Sequence, residues 1–258
     1  HKPEPRLTQQ KNPRKDRPGR TEMPQFLGNV KDAQKGGPAR AGKALPQRVQ
    51  ARSAAEDKAQ AKARPARRKG RGGNPVKIMF LGGVGEIGKN MTAIEYGNDI
   101  IVIDAGLTFP DEELPGIDLV IPDISYLVAN KNKVRGLLIT HGHEDHVGGI
   151  PYFIKEINCP VYGTKLTLAL ADNKLREHRL NKVQMMTVKP GDKVKLGCFG
   201  VEFINVNHSI AGAVALLIDT PQGKIYHSGD FKIDLTPVAG QPIDLSRIAE
   251  IGREGVKL

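Results

Sequence analysis

Within the six residues HGHEDH, His141 to His146, three imidazoles and the carboxylate of Asp145 lie close enough to serve one centre. His141, His143, Asp145 and His146 offer neutral ring nitrogens and an anionic oxygen, donor types that suit zinc or manganese. The spacing supports this use: H-x-H sets two rings on one side of an extended loop, and Asp-His opens the next helix. An apolar strand, VRGLLIT, runs directly into the cluster. That placement argues against a chance group of solvated histidines and for a metal centre at a strand end.

A second stretch invites a different chemistry. GGVGEIGKN, Gly82 to Asn90, contains both G-x-G-x-x-G and most of G-x-x-x-x-G-K, with Asp104 about 20 residues on. Both phosphate-binding readings require a helix directly after the glycines, because its free N–H groups hold the phosphate. The residues after Asn90 are instead MTAIEY, the turn residues Gly97, Asn98 and Asp99, and DIIVIDA, which spell a β-hairpin. Asn90 also stands where a P-loop needs a hydroxyl for magnesium. The glycines therefore build a tight loop after a first strand and hold no nucleotide.

The elements that must position the cluster are short strands. VKIMFL, MTAIEY, DIIVIDA and VRGLLIT come first, with a long loop before the last and a short helix over Ile124 to Asn130. Thr164 is placed to cap a helix through KLTLALADNKLREHRLNK, with Leu166, Leu170, Leu175 and His178 near helical spacing. VQMMTV, KVKLG, VEFINV, AVALLIDT and KIYHSGD come next, separated by the turns KPGD and PQG. The fold class is α/β with hairpin-rich sheets, unlike the regular strand-helix alternation of a dinucleotide-binding fold.

Charge divides the chain at about residue 75. Residues 1–75 hold 20 of the 39 Lys and Arg but 6 of the 28 Asp and Glu, so the net +11 comes entirely from this end. Few of its residues could form a core, and a disordered extension is expected. Arg64, Arg67, Arg68, Lys69 and Arg71 in ARPARRKGRGG form its densest cluster, suited to nucleic-acid phosphates or simply to a solvated linker. Cys159 and Cys198 have no ligand spacing and read as core residues of a reducing compartment. With no membrane span or signal peptide in the pattern, a cytoplasmic location is expected.

THGHEDHVGG resembles the H-x-H-x-D-H signature of the metallo-β-lactamase superfamily, whose αββα sandwich holds one or two metals at its strand ends. The superfamily pattern also asks for an Asp closing an early strand, a later His after a strand, and a later Asp between the metals. Asp104 in VIDAG, His208 in INVNHSI and Asp230 in IYHSGDFK fill those places. Finer text in FLGGVGEIGKNMTAIEYG, GLTFPDEELPGIDLVIPDISYL, LLITHGHEDHVGGIPYF and HSGDFKID is similar to the β-CASP group of RNA-processing nucleases, in particular its ribonuclease J members.

That resemblance implies a site. His141, His143 and His208 would hold one ion, Asp145 and His146 the other, and Asp230 would bridge them, with zinc first and manganese second as the metal. Asp145 and Asp230 would act in catalysis through a metal-activated water attacking an RNA phosphodiester in line. Asp104 would orient the metal loop without ligating, His227 would support the site from behind, and Gly85, Glu86 and Asn90 would border the substrate. His178 reads as a surface or core-edge residue. A separate calcium at Gly116 and Asp118 is implied by some relatives, against the plainer reading of a polar surface loop.

The expected organisation is thus a basic extension over 1–75 and an incomplete αββα sandwich over 76–258, in which the β-CASP domain and a last histidine ligand would come later in a longer chain. RNA is the implied partner, with RNA-decay proteins or the ribosome beside it and a homodimer or homotetramer for the whole protein. A thioesterase or lactonase would share the metal cluster. A non-catalytic module that tethers RNA or assembles a complex through the tail is the third alternative.

Overall fold

The computed structural model describes residues 74–110 and 114–258. The expected disorder of the extension and its Arg64, Arg67, Arg68, Lys69 and Arg71 cluster fall outside the described residues. Six strands form the first sheet: β1 (Lys77–Gly82), β2 (Met91–Tyr96), β3 (Asp99–Ile103), β4 (Val134–Leu138), β5 (Val161–Gly163) and β6 (Met185–Thr187). They lie in chain order, with β1 to β3 antiparallel and β3 to β6 parallel. The second sheet is wholly antiparallel, in the order β10 (Gly223–His227), β9 (Val214–Thr220), β8 (Phe199–Asn205), β7 (Lys193–Leu196).

Period-two alternation stacks these layers. Along β3, Ile100 and Val102 point to one face and Ile101 and Ile103 to the other. The first pair packs against α1 (Ser125–Ala129), α3 (Ile150–Glu156) and α4 (Lys165–Glu177), through residues such as Leu127, Phe153 and Leu175. The second pair meets Phe199, Phe203, Leu216 and Ile218 of the second sheet. Beyond that sheet, Ala215 and Leu217 are covered by Ile251 of α5 (Leu245–Glu254). The result is an αββα sandwich, with α2 (Glu144–Val147) completing the helices. Because β3 is buried on both faces, DIIVI reads as a continuous apolar run and not as alternating.

Three local expectations need correction. Thr164 occupies the position before α4, but its hydroxyl donates to Gly212 O at 2.8 Å and makes no cap bond. The buried stripe of α4 is Thr167, Leu168, Ala171 and Leu175, while Leu166 is exposed, because the helix must present its packed face to both β5 and α3. The helix also stops at Glu177, well short of Lys182, since Arg179 turns into the left-handed region at φ 59° and Leu180 N bonds back to Leu175 O. At the other end of the chain, GRE completes α5, and Lys257 N then donates to Lys224 O at 2.7 Å alongside β10.

Candidate metal centre

The centre forms where β3, β4, β8 and β10 end. β4 delivers Thr140 and His141 into an extended loop, and His143 precedes α2, whose first turn carries Asp145 and His146. Asp104 comes directly after β3 with φ 59°, a strained conformation that Asp tolerates better than most residues. His208 lies just beyond β8, and Asp230 beyond β10 after His227, Ser228 and Gly229.

Two groups of donor atoms converge. One ring nitrogen each from His141, His143 and His208 lie within 4.8 Å of one another, and so do donors from His141, His146 and Asp230. Asp230 Oδ2 is 3.7 Å from both His146 Nε2 and His208 Nε2, placing it between the groups. His141 lies near enough to count in both sets, but with Nδ1 bonded to Thr140 its ring has one free nitrogen and can bind one ion. Asp145 belongs to neither: its Oδ2 lies 3.6 Å from His146 Nε2 and accepts from Asn90 Nδ2 at 3.0 Å.

Buried hydrogen bonds fix which ring nitrogens face the centre. Asp104 Oδ1 accepts from Thr140 N, while its Oδ2 accepts from the Thr140 hydroxyl and from His146 Nδ1, all within 2.8 Å. The Thr140 oxygen, having donated, accepts from His141 Nδ1 at 3.0 Å. Asp104 thereby sets both tautomers, one directly and one through Thr140, and leaves an Nε2 lone pair on each ring for a ligand. Thr140 is an intermediary that the sequence reading did not single out.

The electrostatics agree. Burial, then the neighbouring His146, pushes the His141 imidazole down to about 3 against the opposing pull of Asp104, so it is neutral at physiological pH. Burial also lowers His208. His146 is raised: burial works against its charge, but Asp104, Asp145 and Asp230 outweigh it. His141 Nε2 and His208 Nε2 each approach His143 Nδ1 to 3.1 Å. Ring nitrogens aimed at a common point are better served by a cation than by one another, so the donor set fits a divalent ion.

The remaining sequence candidates fall around this core. His227 lines a cleft with Asp104, His146 and Asp230, and its Nδ1 accepts from Gly229 N at 3.2 Å. The same cleft is lined by Gly83, Val84 and Asn90, but not by Gly85 or Glu86. Those two residues are exposed; Glu86 pairs with Lys89 at 2.9 Å and accepts from Gly83 N, so its charge stabilises the loop itself. Gly116 and Asp118 are exposed, and among the described residues no metal-competent group includes Asp118. His178 is half-buried beside Tyr152 and Lys155, away from the centre. Cys159 is buried and its thiol is pushed up to about 12, consistent with a core role.

Sequence reasoning passed over three contributors: Thr140, Gly106 and Ser209, whose Oγ lies 3.4 Å from His143 Nε2. Thr140 had a faint signal, adjoining the cluster at a strand end. Gly106 had none, since nothing local shows that the Asp145 backbone lies against it. An Asp104→Asn substitution tests the tautomer argument. The amide presents a donor where His146 Nδ1 or the Thr140 groups need an acceptor. The His146 proton is expected to shift to Nε2, weakening divalent-metal binding roughly 10- to 100-fold by calorimetric titration.

Comparison with known proteins places this geometry. The metallo-beta-lactamase superfamily matches residues 84–236. Ribonuclease J 1 of Streptococcus pyogenes is 49% identical over 71% of this chain and 33% of its own length. Ribonuclease J of Synechocystis is 48% identical over 70% of the chain and 29% of its own length, and ribonuclease J of Helicobacter pylori 50% identical over 71% and 27%. The chain spans about a third of the length of these curated relatives. The superfamily match covers strands β2 to β10, the HGHEDH loop, His208 and Asp230 alike, and so the chain, similar over most of its length to part of these ribonucleases J, belongs to the metallo-β-lactamase superfamily.

Proposed function

We infer that the chain is the metal-bearing part of a ribonuclease that hydrolyses RNA phosphodiesters, from an end or internally, in RNA maturation and decay. The observation that supports this reading most is the pair of donor groups sharing His141, seated in a fold whose relatives at about 50% identity are named for that activity. His141, His143 and His208 hold one ion in this proposal. Asp145 and His146 hold a second, with Asp230 between the two. Zinc suits the histidine-rich first group best, and manganese is accommodated by the carboxylates of the second.

Divalent ions there supply Lewis acidity, making a water more acidic and offsetting charge on the phosphate. The protein's part is orientation. Asp104 and Thr140 hold the rings of His146 and His141, and Asp230, half exposed between the two groups, is placed to accept a proton from a water at the mouth of the cleft. The basic segment around Arg64 to Arg71 would draw RNA toward the site by charge. A cytoplasmic setting, partner proteins of RNA decay or the ribosome, and a homo-oligomer of the whole protein belong to the same proposal; no described helix is long and apolar enough to cross a membrane.

Chelator-stripped full-length protein, reloaded with zinc or manganese, is expected to cleave labelled RNA and to leave a thioester and a lactone intact. Hydrolysis of the thioester or lactone alone would move the chain to another branch of the superfamily. RNA binding that vanishes with residues 1–75 while His143→Ala keeps full biological function would make it a tethering module.

A further inference from the structure

The glycine loop touches the metal centre through Asn90, and its contacts go beyond bordering a substrate. The Asn90 main chain is locked on both sides: its N–H donates to Asp145 O at 3.0 Å and its carbonyl accepts from Gly106 N at 3.0 Å. Its carboxamide Nδ2 has three acceptors, Asp145 O at 3.2 Å, Asp145 Oδ2 at 3.0 Å and His146 Nε2 at 3.0 Å.

The direction of these bonds is not arbitrary. His146 Nδ1 donates to Asp104, so Nε2 accepts and needs a donor; Asp145 Oδ2 needs one as well. Only the NH2 side of Asn90 satisfies both, which leaves its Oδ1 facing the glycine loop. A Cβ on Gly83 would collide with that oxygen and come within 3.2 Å of Asn90 Cα. Gly83, at φ 85°, is therefore the space that lets the carboxamide stand in this orientation.

We propose that Asn90 is a positioning residue for the second ion of the centre, holding the Asp145 carboxylate and main chain in place while yielding its contact with His146 Nε2 to the incoming cation. This deepens the functional reading above and depends on it. The first donor group, His141, His143 and His208, makes no hydrogen bond to Asn90, whereas the Asp145–His146 side is bonded to it three times. When a cation takes the His146 lone pair, Nδ2 keeps both Asp145 acceptors and none of its hydrogens is stranded. Asp145 is more than a third exposed and has few other restraints, so without Asn90 its carboxylate is free to swing into solvent. Asn90 thus acts on one ion and not the other, and it links the position of loop 82–90 to filling of the second site.

The test is stepwise calorimetric titration of zinc, and separately manganese, into the chelator-stripped full chain, with ion stoichiometry read by native mass spectrometry. Asn90→Ala is expected to weaken the second binding step by roughly 10- to 100-fold and to change the first by less than about threefold, the scale of an outer partner of a metal ligand. Gly83→Ala keeps the amide but displaces it, and is expected to show the same split. It carries the test if Asn90→Ala lowers the melting temperature too far to titrate. Two normal steps in both variants would overturn the proposal, as would equal weakening of both steps. If the unsubstituted chain bound no ion at all, the metal-centre reading itself would fall, an outcome distinct from these.

Discussion

Alanine at position 141 should cost the chain both ions and not one. His141 offers one free ring nitrogen and so binds one ion, but its fully buried imidazole also packs against His146 with ring centroids 4.0 Å apart, so its removal takes a ligand from one ion and the packing support from the ligand of the other. In a centre of independent sites, deleting one ligand leaves the other ion in place. Here the first group drops from three donors to two, and the second loses the ring against which His146 packs. His143→Ala and His146→Ala, each confined to one group, serve as contrasts: each is expected to leave one ion tightly held. Elemental analysis of the purified variants after dialysis against buffer should therefore read below about one ion per chain for His141→Ala and about one for each of the other two. RNA cleavage by His141→Ala should fall further than the roughly 10- to 100-fold typical of losing an outer partner of a metal ligand. Equal metal content in all three variants would mean that the two sites act separately and that the packing of His141 on His146 is incidental.

The reason His141 stands out could not be read from the chain. The run HGHEDH shows a metal centre because the residue types and the strand before them leave few other uses. It does not show which ring falls in the middle, since that depends on how β8 and β10 bring His208 and Asp230 to opposite sides of it. Local text was sufficient where function is local: the hairpin after GGVGEIGKN excluded a nucleotide loop, and short apolar runs between turn residues marked the strands of hairpin-rich sheets. It failed where a side chain serves a distant backbone. Asn90 is legible as a neighbour of the centre, yet its role depends on hydrogen bonds to residues 55 and 56 positions away. Gly85 and Glu86 have the same motif membership but face solvent, because the loop's twist turns Gly82, Gly83, Val84 and Asn90 toward the cleft. The α4 stripe departs from leucine spacing for a similar reason: packing against two partners selects a face that the leucines alone do not define.

Gly106→Ala is the most damaging small substitution this architecture offers. An added Cβ would overlap the Asp145 carbonyl oxygen and stand 2.7 Å from Asn90 N. Both obstacles are backbone, so no rotamer change relieves them. Gly149 presses on the same segment from the other side, its own missing Cβ facing Gly106 O at 2.6 Å and Ala105 O at 2.9 Å. Segment 104–107 is therefore held between the metal loop and the start of α3, and its hydrogen bonds Ala105 N to His146 O and Gly149 N to Ala105 O at 2.9 and 2.8 Å leave it nowhere to retreat. Overpacking in a close-packed interior costs about 1–3 kcal/mol when side chains can adjust, and a backbone collision belongs at the upper end. For a folded region of this size each kcal/mol lowers the melting temperature by about 2–4 °C, so a fall of about 6–12 °C is expected by differential scanning calorimetry. The same displacement pushes Asp145 and Asn90 apart, which should weaken metal binding on the Asp145–His146 side before that of His141, His143 and His208. Gly142→Ala is the appropriate control. Its Cβ would meet the side-chain ends of Leu170 and Ile210, which can rotate away, and so a smaller fall in melting temperature is expected despite its place between two metal-group histidines. If Gly106→Ala melted within about 2 °C of the unsubstituted chain, the tight approach of the two loops would not exist in solution, and the support it gives to Asp145 would have to come from elsewhere.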